Sequence, residues 1–358
     1  VFAEIALLVR IGQQAQVTKL ATNLFLDSLV KKSFIALATL AACGAALAQS
    51  SVTIYGRLDA SVGSEDKINV GSNTKLFSGG QVGLTTPRLG FRGTEDLGGG
   101  LKANFKLEQR IDIDTGSLQS PSFKGESSLG LSGGFGSVLL GRMITPFDDV
   151  RALSNKFNVF DSNGFTPTAA AFKTGGTNTD YSSRNNGTIR YDSPSLGGMY
   201  GAVSHSFEQT SGKDDTVTSL HLGYKAGPLN VAFGYQDEKT KQGYTALAAS
   251  YDFKAFSLSG GYNTRKADAT AGGKDNEYSL GVEVPFGAIK LSAGYAGGET
   301  KVNGVKTIES SGFGLGAKYA LSKRTTLYGG YSSVKAESAA GVKTTDTQIF
   351  AVGVRHDF

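Results

Sequence analysis

From Ser51 to the C-terminus, apolar and polar residues alternate with period two, in segments of about ten residues broken by turn signals. Successive side chains of a β-strand point to opposite faces, so each segment makes a two-faced strand. Residues 101–110 show it most clearly. Leu101, Ala103, Phe105 and Leu107 share one face, with Gln109 at its end, while Lys102, Asn104, Lys106, Glu108 and Arg110 share the other. Near the C-terminus Phe350, Val352 and Val354 oppose Ala351, Gly353 and Arg355 in the same way. The segments fall near 51–61, 86–95, 100–112, 127–133, 136–143, 186–193, 198–209, 216–225, 229–238, 243–253, 255–265, 277–285, 288–297, 310–320, 324–335 and 346–358. With 49 Gly and 7 Pro in 358 residues, tight turns between strands are well supplied.

Alternation alone is compatible with a soluble sandwich whose apolar faces point inward. Three features select a barrel whose apolar faces point outward to lipid. Short turns such as 96–100, 133–136 and 227–228 alternate with long polar connections such as 64–81 and 265–276. Tyr224, Tyr235, Tyr251, Tyr295, Tyr319 and Tyr331 lie toward segment ends, as an aromatic girdle requires. The third feature is an export signal. Closure also pairs every backbone group in lipid, which an open sheet does not. The fold expected is all-β, a 16-stranded antiparallel transmembrane β-barrel of one domain spanning 49–358.

The export signal occupies residues 30–48. Lys31 and Lys32 precede an apolar run from Phe34 to Ala42, and Ala46-Leu47-Ala48 gives an A-x-A exit before Gln49. Residues 1–29 do not belong in front of such a signal and read as an upstream extension, translation starting at Val30. Cys43 lies in Leu-Ala-Ala-Cys, which resembles a lipoprotein processing box, but the A-x-A exit follows five residues later.

The polar faces would line a wide aqueous lumen. By parity the inward groups are Arg57, Asp59, Arg88, Arg92, Lys102, Lys106, Glu108 and Arg110, with Arg190 and Asp192 further on and Arg184 just before its strand. Several of these cations share one patch of wall, which would concentrate anions. The connection 144–184 is far longer than usual, and a loop that long is normally functional or disordered. Folded into the lumen it would narrow the pore. Asp148, Asp149 and Asp161 are its acids, and Phe147, Phe157, Phe160 and Phe165 are available to hold it to the wall. With Glu108, those acids would set a transverse field across the narrowing. Arg142 shares the outward parity of Val138 and Leu140 and therefore belongs at the rim or in a subunit contact that shields it.

Other chemistries find little support. A single Cys excludes a disulfide framework and a cysteine-based metal site. His205, His221 and His356 stand on separate segments, without a nucleophile motif, and no Walker loop, dinucleotide fingerprint or H-E-x-x-H occurs. No enzyme activity, cofactor or metal is expected. A formal charge of +5 is too small to argue for nucleic acid.

Several segments resemble the trimeric Gram-negative general porins of the β-proteobacterial type. The opening Ser51-Val52-Thr53-Ile54-Tyr55-Gly56-Arg57-Leu58-Asp59 is similar to their first strand, and residues 88–103 (RLGFRGTEDLGGGLKA) to their strand 2, turn and strand 3. Residues 130–138 (GLSGGFGSV), Gly141-Arg142, Arg190-Tyr191-Asp192-Ser193-Pro194 and the terminal Val352-Gly353-Val354-Arg355-His356-Asp357-Phe358 add to the resemblance. It implies a homotrimer in the outer membrane, a third loop folded into each pore, and passive diffusion of ions and small hydrophilic solutes. Arg88, Arg184 and Glu108 match constriction positions, and Phe358 the residue by which the barrel-assembly machinery takes up its clients. A basic residue usual on strand 4 falls near Gly125 here, with Lys124 beside it. The alternative is a substrate-specific outer-membrane channel, for which Tyr55 and Tyr328 have inward parity.

Overall fold

Period-two segments joined by tight turns pair with their sequence neighbours as antiparallel ladders. Such pairing runs through the whole of the computed structural model, which describes residues 51–157, 160, 181–212, 214–239, 242–267 and 273–358. The expected leader 30–48 and the extension before it, and also Asp161 and Phe165, lie outside the described residues. The first strands are β1 (Ser51–Lys67), β2 (Gly71–Phe77), β3 (Arg88–Gly98), β4 (Leu101–Asp112), β5 (Ser117–Leu118), β6 (Glu126–Gly133) and β7 (Gly136–Ile144). A helix, α1 (Pro146–Ser154), follows. Then come β8 (Arg184–Asp192), β9 (Met199–Ser206), β10 (Val217–Ala226), β11 (Leu229–Glu238), β12 (Gln242–Asp252) and β13 (Ser257–Ala267). The last are β14 (Gly273–Phe286), β15 (Ile289–Val302), β16 (Val305–Ala320), β17 (Thr325–Ser338) and β18 (Lys343–Asp357).

Of the 18 strands in the sheet, β2 and β5 are short arms folded back on β1 and β4, which leaves 16 in the ring. Each of these pairs with its neighbours in the chain, and β1 pairs with both β18 and β3, so no edge is left open. Leu222, Leu280, Leu315 and Phe350 are 54%, 60%, 55% and 56% exposed, whereas Ser219, Glu277, Ser310 and Ile349 on the alternate positions are buried. Large apolar side chains outside and polar ones inside are the inverse of a soluble core and match a barrel in lipid.

The strands are not uniformly ten residues long. β1, β16 and β18 have 17, 16 and 15 residues, and β14, β15 and β17 have 14 each. The polar stretches expected as loops continue the ladder above the apolar band and close in tight turns. Asn303 and Gly304, with φ of 50° and 80°, join β15 to β16, both in the left-handed region that a two-residue hairpin demands. The stretch 64–81 likewise holds the end of β1 and the arm β2, paired from Ser61↔Phe77 to Lys67↔Gly71. Tyr295 and Tyr331 therefore sit in mid-strand, at the upper edge of the apolar band. Girdle positions follow membrane depth, and strand ends do not.

The long connection contains α1, which the alternation gave no sign of. Its start is marked by chemistry: Thr145 accepts from the Asp148 N–H, Pro146 occupies the first turn, and Asp148 and Asp149 face the positive end of the helix. Phe147 and Val150 pack on Ala232, Tyr244, Ala246 and Ala248, all on the inward face of β11 and β12. Room is made by glycine. A Cβ on Gly234 would meet Val150 at 3.0 Å and Phe147 at 3.3 Å, and one on Gly261 would meet the Ser154 Cβ at 2.5 Å. Further on, Phe160 packs with Phe77, Val82, Tyr328, Ile349 and Ala351, on the β17–β18 wall. The described parts of this connection thus touch two different arcs of the inner wall.

Candidate functional site

The antiparallel register of β3 and β4 sets Arg88 beside Arg110, Gly90 beside Glu108 and Arg92 beside Lys106, all facing the lumen. Glu108 lies between the two arginines, with Oε1 at 3.4 Å from Arg88 Nη1 and 3.2 Å from Arg110 Nη2. Its Oε2 accepts a hydrogen bond from the Tyr55 hydroxyl at 3.1 Å. Tyr55 reaches it across Gly90, where any side chain would collide with the phenol ring. The Arg92 guanidinium stands 5.1 Å from the centre of the same ring. Lys106 pairs with Glu126 on β6 at 2.6 Å, and Lys102 is exposed beside the β3–β4 turn.

The expected wall of cations is there, but it is interleaved with acid. Glu126 carries no motif, and only the β4–β6 register, which sets Glu108 opposite Glu126, brings it next to Lys106. Glu108 sits among the cations and not across the lumen from them. Gly125 adjoins this group closely, since a Cβ there would meet Glu108 Oε1 at 2.5 Å and Arg110 Nε at 3.0 Å. The carbonyl of Gly125 accepts from Arg184 Nε at 3.0 Å, which ties Arg184 to the same side of the lumen.

Arg190 does not line open water. Its Nη2 lies 2.7 Å from both Asp149 and Asp192, and Nη1 donates to the Ile144 carbonyl at 3.0 Å. It is buried beneath α1 and fixes the start of that helix to the wall. His221 assists, with Nδ1 at 3.1 Å from the Pro146 carbonyl and 3.6 Å from Asp149. Its inward parity was the only trace of this role in the sequence. Asp148 accepts from the Tyr181 hydroxyl at 2.6 Å, and burial pushes its carboxyl above the ordinary value. Both described loop acids therefore help hold the helix in place, Asp149 through Arg190 and Asp148 through Tyr181. Beyond α1, Arg151 approaches Glu277 at 4.0 Å and Arg265 pairs with Asp275, a buried set that parity places inward but no motif marks.

Arg142 lies toward the upper end of β7, inside the register shift between Gly141 and Met143. Its Nε donates to the Lys124 carbonyl at 3.1 Å and its Nη1 to Asn186 Oδ1 at 2.7 Å. Phe358 closes the seam, exchanging backbone hydrogen bonds with Gly56 at 3.0 and 3.1 Å while its ring covers that glycine. Among the described residues no group of three or more His, Cys, Asp or Glu is placed to hold a metal ion.

A family model described as Gram-negative porin matches residues 34–357. The chain is 37% identical over 359 residues to outer membrane porin protein 32 of Delftia acidovorans, covering 92% of this chain and all of that one. It is 29% identical to the major outer membrane protein P.IB of a serogroup A strain of Neisseria meningitidis, again over 92% of this chain. Among solved structures, the anion-selective porin from Comamonas acidovorans superposes with a TM-score of 0.73 at 31% identity, over 87% of this chain and 100% of that one. OmpT of Vibrio cholerae in its trimer form gives 0.66 at 15% identity over 87% of this chain, a likeness of fold.

Proposed function

The chain belongs to the Gram-negative porin family and is a diffusion channel of the bacterial outer membrane, and on that premise we propose that its pore leans toward anions and works as a homotrimer. One observation carries the selectivity. Arg88, Arg92, Lys102, Lys106 and Arg110 share the inner face of β3 and β4, while the carboxylates among them are Asp96, Glu108 and Glu126. The excess of positive charge, with Arg184 added, faces water between low-dielectric walls, where a field is focused and anions gather. The relative of known structure described as anion-selective supports this reading.

Passage is passive and needs no cofactor. The rival reading, a substrate-specific channel, called on Tyr55 and Tyr328, but their hydroxyls donate to Glu108 and Asp59 in the wall and are not offered to a solute. Residues 30–48 are proposed as the removed export signal, and Phe358 as the handle for the assembly machinery.

The test is reversal potential in planar bilayers under a salt gradient. The protein should conduct in steps of three with potentials favouring anions. Arg88→Gln together with Arg184→Gln should move the potential toward cation preference. Strong cation preference in the unaltered protein would overturn the basic-wall argument.

A further inference from the structure

A second charged arc lies at the rim of the short turns, which is the periplasmic one. Lys290 of β15 and Lys318 of β16 are direct cross-strand partners. Arg355 of β18 lies opposite Thr326 on β17 and Asp59 on β1, and Arg57 lies opposite Asp357. All four cations share inward parity with the buried Ser292, Ser310, Ile349 and Asp59. Among the described residues two carboxylates form direct ion pairs with them. Glu283 takes Lys290 at 3.0 Å and Lys318 at 3.5 Å, and Asp357 takes Arg57 and, at 3.1 Å, Arg355. The next acid, Asp59, opposite Arg355, accepts from the Tyr328 hydroxyl and the Thr85 N–H. Finally, Arg355 Nε is buried without an acceptor. A buried N–H donor in that condition marks a place where an oxygen would fit.

We propose that this arc is a second anion site, holding a tetrahedral oxyanion of the class of inorganic phosphate between Lys318 and Arg355 at the periplasmic mouth. Four cations against Glu283, Asp357 and the neighbouring Asp59 leave an excess of positive charge that an anion would match. Ammonium and guanidinium donors arriving from different strands suit an anion with several acceptor oxygens better than a halide, because each donor then finds its own oxygen. The site depends on the barrel and its parity, and not on the anion lean of the β3–β4 wall.

Chloride conductance of the full protein in planar bilayers, with inorganic phosphate titrated on one side at a time, tests it. Phosphate should reduce the current saturably and more strongly from one side. Lys318→Gln with Arg355→Gln should raise the half-blocking concentration about tenfold or more while leaving the selectivity set by Arg88 and Arg184 in place. Glu283→Gln, which adds to the local excess, should lower that concentration and covers the case in which the double variant fails to assemble. A reduction that is linear and equal from both sides would overturn the site. So would a block unchanged in these variants but lost in Arg88→Gln, which would assign it to the β3–β4 wall.

Discussion

Gly234 and Gly261 decide where α1 can lie, because their hydrogens are all that separates β11 and β13 from Val150, Phe147 and Ser154. A side chain at either place must displace the helix or distort the wall. Overpacking of this kind costs about 1–3 kcal/mol. Gly234→Leu is therefore expected to lift α1 from its seat while sparing the ring of strands. Single-channel recording should show an altered conductance with more noise, and heat-resistant assembly should persist. An unaltered, quiet channel would mean that α1 does not limit the current. The cation cluster makes the same point in reverse. Arg88, Glu108 and Arg110 were legible by parity, whereas nothing singled out Glu126, and His221 showed only its inward parity, since the first acquires its role from strand register and the second from the seat of α1.

At the scale of the element, the ladders above the membrane stand on their turns. The β15–β16 hairpin closes on Asn303 and Gly304, both at positive φ. A β-branched residue at the second position is strained there, and the measured penalty for such mismatches exceeds about 1 kcal/mol. Gly304→Val should lower the thermal midpoint and expose the upper β15–β16 segment to protease, with conductance little changed because the constriction lies elsewhere. Equal protease resistance in the two proteins would show that the turn contributes nothing to the hairpin. α1 illustrates the opposite kind of element. A short helix in a chain of alternating strands was announced only by Thr145, Pro146 and the acids after them, a signal about its start that says nothing about where it docks.

For the whole molecule, the outward band sets the medium in which the barrel is stable. Leu315, half exposed in mid-strand, faces lipid. Arginine at such a depth costs about 2–4 kcal/mol, so Leu315→Arg should reduce folding yield into bilayers markedly, whereas Leu315→Met should not. A normal yield for the arginine variant would place that face in water.

Strand number, order and facing were determined by the sequence alone, because a period of two is a local property that each segment expresses without its neighbours. Nearly all of the sixteen expected segments coincide with ring strands to within a few residues, apart from extensions on the long-loop side. Which charges meet was decided by the tertiary structure. Register across β3, β4 and β6 and the seating of α1 over Arg190 convert a list of inward residues into pairs, one group lining water and another buried. The physical reason is reach: Coulomb attraction and hydrogen bonding act over a few ångströms, and strand register, the docking of α1 and closure of the ring are what bring residues from 20 to 300 positions apart within that distance.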